Sequence, residues 1–316
     1  MRELVIGKNE SGQRLDKYLQ KYLKEATKSF LYKMLRKKNI KLNGGKASGG
    51  EILEPGDRVT IYFSEDTLQK FRGSTRMVHY PVTDLSIVYE DEQIVLLNKP
   101  VGMLSQKAES DDATLVEYFL GYLQKTGQWK PDEAFTPGIC NRLDRNTSGL
   151  VIAGKSLAGL QKMSELLKER SIDKYSLTIV EGVITEPATV CGYLTKDNEQ
   201  NRVRIYDTDG PGRARIETGY EPLQNNGSYT LLKVKLITGK THQIRSHLAS
   251  IGHPLMCDVK YGGRKQEGQR SFFLHAEKIC FPVIDGAFCN LSGQTFTASV
   301  PPRFDKMIKK LFGKRG

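Results

Sequence analysis

Between residues 64 and 80 the chain reads "SEDTLQKFRGSTRMVHY", a mostly polar stretch with neither helical nor strand period, and the hydrophobic pattern differs on its two sides. A change of period partway along a chain calls for two separately built cores. Ahead of the stretch, "QRLDKYLQKYL" sets Leu15, Leu19, Tyr22 and Leu23 at helical spacing, with Lys17, Lys21 and Lys24 off that stripe. "SFLYKMLRKKNIKLN" offers a second helix from a Ser29 cap, turning Phe30, Leu31, Met34 and Leu35 inward. Asn43-Gly44-Gly45 signals a turn, and "LEPGDRVTIYF" a Pro-Gly turn into a strand. Residues 1–76 are thus expected to form a small helix-turn-helix-plus-strands domain, its core about 13–63, ending in a linker.

Residues 77–316 alternate differently. "IVYEDEQIVLLNKP" reads as two strands around the acidic turn Glu90-Asp91-Glu92. Thr114 and Glu117 form a capping box for "TLVEYFLGYLQKTG", which Gly127 can stop. "GLVIAGK" is a buried strand, and Ser156 caps the amphipathic "SLAGLQKMSELLKER". "KYSLTIVEG" and "YTLLKVKLI" alternate as strands, Leu232, Val234 and Leu236 opposing Lys233 and Lys235. "THQIRSHLASIG" reads as a helix from Thr241 with Ile244, Leu248 and Ile251 inward and Gly252 as its stop. Strands outnumber helices and many connections are hairpin-length. The expected class is α+β, a mixed, mostly antiparallel sheet with flanking helices, rather than a βαβ repeat.

Charge narrows the partners. Against 48 Lys and Arg stand 36 Asp and Glu, a net of +12. Residues 1–76 hold 17 basic and 9 acidic side chains, or +8, and the tail "RFDKMIKKLFGKRG" has six basic and one acidic. Such concentration points to a polyanion, nucleic acid ahead of an anionic membrane. Lys33, Arg36, Lys37 and Lys38, on the outer face of the second helix, are the candidate phosphate contacts. The N-terminus lacks the apolar core of a secretory signal, no stretch approaches a membrane span, and five scattered cysteines favour reduced thiols. The expectation is a cytoplasmic monomer without membrane contact.

The tripeptide Arg-Leu-Asp occurs twice, ending at Asp16 and Asp144. Asp16 falls in the first turn of a helix, where the dipole and Arg14 or Lys17 suit a carboxylate, so it is read as structural. Asp144 lies in a polar turn, "NRLDRNTSG", between Arg142 and Arg145. Neighbouring guanidinium groups keep such a carboxylate ionised, fit to act as nucleophile or electrostatic stabiliser but poorly as an acid. From that stretch alone, a structural Asp-Arg brace remains the simpler reading.

"GICNRLDRNTSGLVIAGKS" resembles the active-site motif of the RluA family of pseudouridine synthases. "LNKPVGMLSQ", "DKYSLTIVEG" and "LITGKTHQIRSHLASIGHPLMCDVKYGG" resemble further blocks of that family, in its order. Residues 13 to about 63 resemble the RNA-binding module named after small-subunit ribosomal protein four. The resemblance implies an RNA uridine isomerase without cofactor or metal, acting on RNA, ribosomal ahead of transfer. It makes Asp144 the catalytic aspartate, Tyr175 the ring against the target uracil, Arg245 the partner of the aspartate, and Arg142 the residue that helps expel or replace the flipped base. Asn141 stands where many members have histidine. The two RLD sequences then belong to different domains and are not a repeat.

Uridine becomes pseudouridine when the base leaves the ribose, rotates and reattaches through a ring carbon. An ionised carboxylate starts this by adding to the anomeric carbon or by removing a ribose proton. A catalytically silent RNA-binding or ribosome-assembly protein is the rival reading, opposed by the joint presence of Asp144, Tyr175 and Arg245. "TGKTHQ" ends like a phosphate-binding loop, but Val234 stands where its first glycine belongs. His242, His247, His253 and Cys257 lack the spacing of a zinc site.

Overall fold

Apolar stripes of the front segment come together around one core. The computed structural model describes residues 1–7, 9–72, 79–107, 113–131, 133–197 and 202–313. The front segment runs β1 (Arg2–Val5), α1 (Leu15–Tyr22), α2 (Lys28–Arg36), β2 (Ile40–Leu42), β3 (Gly45–Lys46), β4 (Arg58–Ile61) and α3 (Glu65–Arg72). Its sheet has the order β1-β4-β2-β3, and Leu15, Leu19, Leu31, Leu35, Ile40 and Ile61 are buried under the helices.

Three expectations shift. The cap of α2 is Thr27, which accepts from the Phe30 N–H at 3.3 Å, so the helix starts before Ser29. It ends at Arg36, and Ile40–Leu42 is a strand. Lys38 sits in the left-handed conformation at φ 59°, the Lys38 and Asn39 N–H groups donating to Leu35 and Met34 carbonyls. Glycine is the usual residue there, so a lysine at that position retains charge at a conformational cost of about 1 kcal/mol.

The third concerns the expected linker, of which 73–78 lie outside the described residues. Glu65–Arg72 is a helix with Leu68 buried. Only Leu68 and Phe71 mark its inner face, too few to show a period. Tertiary contacts fix it: the Phe71 ring lies 4.3 Å from Phe30, and the Phe71 carbonyl accepts from the Glu25 N–H.

The second segment runs β5 (Ile87–Glu90), β6 (Ile94–Lys99), α4 (Leu115–Lys125), β7 (Gly138–Ile139), β8 (Ser148–Gly154), α5 (Leu157–Lys168), β9 (Asp173–Glu181), β10 (Ala188–Asp197), β11 (Arg202–Tyr206), β12 (Ala214–Asn225), β13 (Tyr229–Leu236), α6 (Gln243–Ser250), β14 (Leu274–Cys280), β15 (Thr295–Thr297) and α7 (Pro302–Phe312). The eleven strands order as β11-β10-β12-β13-β9-β14-β8-β6-β5, with β7 on β8 and β15 on β14. Among the described strands, only β14 and β8 pair in parallel. The capping box of Thr114 and Glu117 and the Ser156 cap both form.

Alternation sorts the sheet into two faces. Val95, Leu97 and Val151 pack with α4 residues, and Val180, Leu232 and Val234 with Ile244 and Leu248 of α6. On the other face Leu150 and Ile152 meet α5, and Leu177, Ile179 and Leu231 meet Phe304, Met307 and Ile308 of α7. At the centre, a Cβ on Gly149 would lie 2.1 Å from the Ala276 carbonyl, and its φ is +114°. The glycine after Thr147-Ser148 is therefore what lets β8 and β14 close.

Asp16 is buried in the front module. It accepts from Arg14 Nε at 3.0 Å, Arg14 Nη2 at 3.1 Å and the Tyr32 hydroxyl at 2.8 Å. The bond from Arg14, aided by Tyr32, holds its pKa down at about 2, against desolvation. Asp16→Asn should lower stability by about 2 kcal/mol at neutral pH, the worth of bonds to a charged group. Because the folded pKa is depressed, this contribution is present above pH 4 and fades as pH falls toward 2. Urea unfolding of both proteins between pH 2 and 7 checks it; the difference should shrink at the acid end.

Candidate active site

The turn carrying Asp144 is clamped from below. The Lys99 ammonium, fully buried, donates to the carbonyls of Pro100, Met103 and Arg145 at 3.0, 2.8 and 3.2 Å. Ser105 Oγ donates to the Leu143 carbonyl at 2.8 Å and accepts from the Leu143 N–H at 3.1 Å. The Gly102 N–H adds a bond to the Arg145 carbonyl. The residues on either side of Asp144 are thus tied to the loop after β6, and the carboxylate projects with its side chain 25% exposed. Burial drops the Lys99 pKa to about 8, and the Asp144 charge offsets part of that.

Helix α6 supplies the opposing charge. Arg245 is 7% exposed at its side chain and is gripped by Asp258, Nε to Oδ2 at 2.7 Å and Nη2 to Oδ1 at 2.9 Å. This two-pronged contact aims Nη1 at Asp144 Oδ2, 2.9 Å away. The rings of Phe272 and Tyr261 flank the guanidinium at 4.2 and 5.0 Å. Burial pulls the arginine pKa down, and the bonds and charges of Asp258 and Asp144 more than offset it. His242, at φ 54°, shares a bond with the Tyr261 hydroxyl at 2.8 Å and sets Nε2 3.7 Å from Asp144 Oδ2. Burial lowers its pKa, so it is chiefly neutral at pH 7.

The sequence profile of RNA pseudouridylate synthases matches residues 93–250, half of the chain, and that of the S4 domain residues 13–59. The chain belongs to the RNA pseudouridylate synthase family. A "Ribosomal large subunit pseudouridine synthase C" of Pasteurella multocida is 30% identical over 98% of this chain and 92% of its own. The protein of that name from Haemophilus ducreyi is 31% identical over 88% of this chain and 86% of its own. In fold, the chain is similar to the human RNA pseudouridylate synthase domain containing 4, with a TM-score of 0.59, 20% identity, and 72% and 92% of the two chains covered.

In this synthase, an isomerase of RNA uridine, the structure brings Asp144 and Arg245 together, with Arg142 two residues earlier in the same turn. Arg142 is exposed and reaches Gln106 Oε1 at 3.4 Å. Asn141 turns away from the carboxylate: its side chain accepts from the Ile152 N–H and donates to the Leu150 carbonyl, bracing the turn on β8.

Tyr175 is not brought to this cluster, which corrects the expectation drawn from the motif. It pairs with Lys235 in β13, two residues from the Leu177–Lys233 pair and four from Ile179–Leu231. Leu177, Ile179 and Leu231 pack on α7. Strand parity therefore turns the Tyr175 ring to the face opposite α6, and buried Ser176 is the residue directed toward the site's side. The four cations of the front segment are all exposed, Lys33 and Arg36 on α2 and Lys37 and Lys38 in the turn after it.

Asp258, His242, Lys99 and Ser105 were not singled out from sequence as site residues. His242 immediately precedes α6 and Arg245 lies in its first turn, so their spacing of three in sequence is a usable signal. Asp258 carries no such mark. Among the described residues no cluster of three or more His, Cys, Asp or Glu side chains could hold a metal ion.

Arg245→Ala should lower turnover on the order of a hundredfold, as misplacement of a reacting group does, with a much smaller effect on RNA affinity. Arg245→Lys should restore only part, since an ammonium cannot hold Asp258 by two prongs while meeting Asp144. Single-turnover rates at saturating RNA beside equilibrium binding separate the two effects. Asp258→Ala strands a buried cation and should cost about 3–5 kcal/mol in stability, read as a fall in Tm.

Proposed function

We propose that this synthase isomerises specific uridines of large-subunit ribosomal RNA, in the cytoplasm and as a monomer. Asp144 is the catalytic aspartate, residues 1–76 form the RNA-binding unit and 77–316 the catalytic unit. The observation that carries the reading is the Asp144 carboxylate, partly exposed yet ion-paired at 2.9 Å to an arginine that Asp258 holds in place. The names of the Pasteurella and Haemophilus relatives support the choice of RNA.

The chemistry follows from that carboxylate. The target uridine must leave its stack, at a cost of a few kcal/mol. Arg142, exposed beside the aspartate, is placed to enter the gap or contact the displaced strand. Asp144 Oδ2 is engaged by Arg245, so Oδ1 is the oxygen offered to the ribose. It adds to C1′ or takes the C2′ proton; both need the ionised form that Arg245 favours. The C1′–N1 bond breaks, the uracil turns, and C5 bonds to C1′ as the Asp144 oxygen leaves that carbon or, in the second route, as Asp144 returns the proton to C2′. C5 then releases its proton while N1 ends protonated, so no atom is gained or lost. Lys33, Arg36, Lys37 and Lys38 hold phosphates and contribute affinity without touching the reaction.

Asp144→Asn should abolish pseudouridine formation while RNA affinity stays within a few-fold. Turnover by that variant would remove the assignment. Mapping pseudouridines in ribosomal and transfer RNA from cells with and without the gene identifies the substrate; a site that disappears only from transfer RNA would overturn the ribosomal reading. Neutralising Lys33, Arg36, Lys37 and Lys38 to glutamine should flatten the dependence of binding on salt, by about 0.7 in the log–log slope for each single-strand phosphate released. Binding titrations across a salt series test it.

A further inference from the structure

The face of the central sheet opposite Asp144 changes character along one row of side chains. Leu177, Ile179 and Leu231 lie beneath α7. Toward the start of β9 the same row continues as Tyr175, with Lys233 and Lys235 of β13 and Lys278 of β14 beside it. Their ammonium groups stand 5.4, 5.7 and 5.9 Å from the centre of the tyrosine ring. An open groove of about 430 Å³ lies there, lined by Tyr175, Lys233, Lys235, Tyr220, Glu221 and Pro187 among others.

We propose that this groove binds a single-stranded stretch of the RNA, one base stacking on Tyr175 and the adjoining phosphates held by Lys233, Lys235 and Lys278. The inference rests on RNA being the substrate and adds a surface away from the reaction centre. Three like charges on neighbouring strands repel one another, and a plain solvated surface has no need to gather them around one half-buried ring. An aromatic platform ringed by cations is the arrangement that takes unpaired bases with little regard to sequence. The existing partners do not block it. Lys233 meets Glu221 at 3.1 Å and Lys235 meets Asp173 at 2.9 Å, with side chains 33% to 57% exposed. Exposed pairs of this kind contribute little and are readily exchanged for phosphate. The Tyr175 hydroxyl reaches Asp173 only at 3.4 Å, so the ring is held by its surroundings and not by its oxygen.

The test uses the full chain and a labelled 12-nucleotide oligocytidine, which offers the catalytic cleft no uridine. Tyr175→Ala should weaken binding roughly tenfold, the removal of one base–aromatic stack, and Tyr175→Phe should bind as the unaltered chain does. Lys235→Gln with Lys278→Gln should reduce the salt slope by about 1.4, two single-strand phosphates. For a target RNA with a single-stranded flank, all three proteins should retain kcat, and KM should rise for Tyr175→Ala and the double lysine variant. Unchanged oligocytidine affinity and salt slope in those two would overturn the proposal. So would a fall in kcat without weaker binding in Tyr175→Ala, which would return the ring to the reaction itself. Isomerisation by the unaltered chain is scored in the same assay. Its absence would sink the enzymatic reading, a failure that the oligocytidine result distinguishes from failure of the groove.

Discussion

One buried guanidinium joins parts of the chain that sequence separates by about a hundred residues. Arg245 lies on α6, Asp144 in the turn before β8 and Asp258 in the loop after α6, and the arginine bonds both carboxylates. Burying an arginine is unfavourable unless its donors are met and its charge is balanced. Here Asp258, 2% exposed, meets two donors and supplies the nearby counter-charge. Asp144, 25% exposed, takes a third donor through Oδ2. The asymmetry matters. A carboxylate buried as deeply as Asp258 could not reach a ribose, and one as free as a surface aspartate would not be aimed.

The sheet exists, in functional terms, to hold those two segments in register. Gly149 permits the close approach of β8 to β14, and β14 in turn pairs with β9. Helix α6 then packs across β9 and β13 through Ile244 and Leu248, which sets the height of Arg245 above the sheet. On the other flank, Lys99 at the end of β6 fixes the turn through three carbonyls. The Asp144 charge offsets part of the burial penalty on the Lys99 ammonium. The blocks around Lys99, Asp144 and Arg245, dispersed along the sequence, are therefore joined at one turn.

Local signals carried most of the fold into view. Caps at Thr114 and Ser156, the acidic turn at Glu90–Glu92 and the two-residue alternation of β9 and β13 are written in neighbouring residues, and the structure contains each of them. Features that depend on distant packing were not legible. Helix α3 holds only Leu68 and Phe71 on its inner side, and its stability comes from Phe30 and Glu25 elsewhere in the module. Asp144 and Arg245 were visible because a dense motif surrounds each, whereas Asp258 follows Arg245 by a loop whose path no local pattern dictates. Tyr175 shows a sharper limit. A strand's period is two, so neighbouring residues point through opposite faces of the sheet, and a motif read along the chain does not say which face it serves. Tyr175 lies on the α7 side, and Ser176 occupies the side that faces α6.

Strand parity also decides how the molecule divides its labour. On β9, Ser176 rather than an aromatic ring is directed to the site's side, and Tyr261 and Phe272 are buried against Arg245. Base–aromatic contact is worth about 1–3 kcal/mol, so affinity that β9 does not supply through a ring falls to other contacts, phosphates among them. The net +8 of residues 1–76, four of whose cations stand exposed on α2 and the turn after it, has the sign that phosphates require. Binding energy taken from remote phosphates can be used to hold a poorly stacked base out of its helix. Under the proposed function, the charge that first marked the sequence as a polyanion binder serves catalysis too, because phosphate contacts offset the cost of unstacking a uridine.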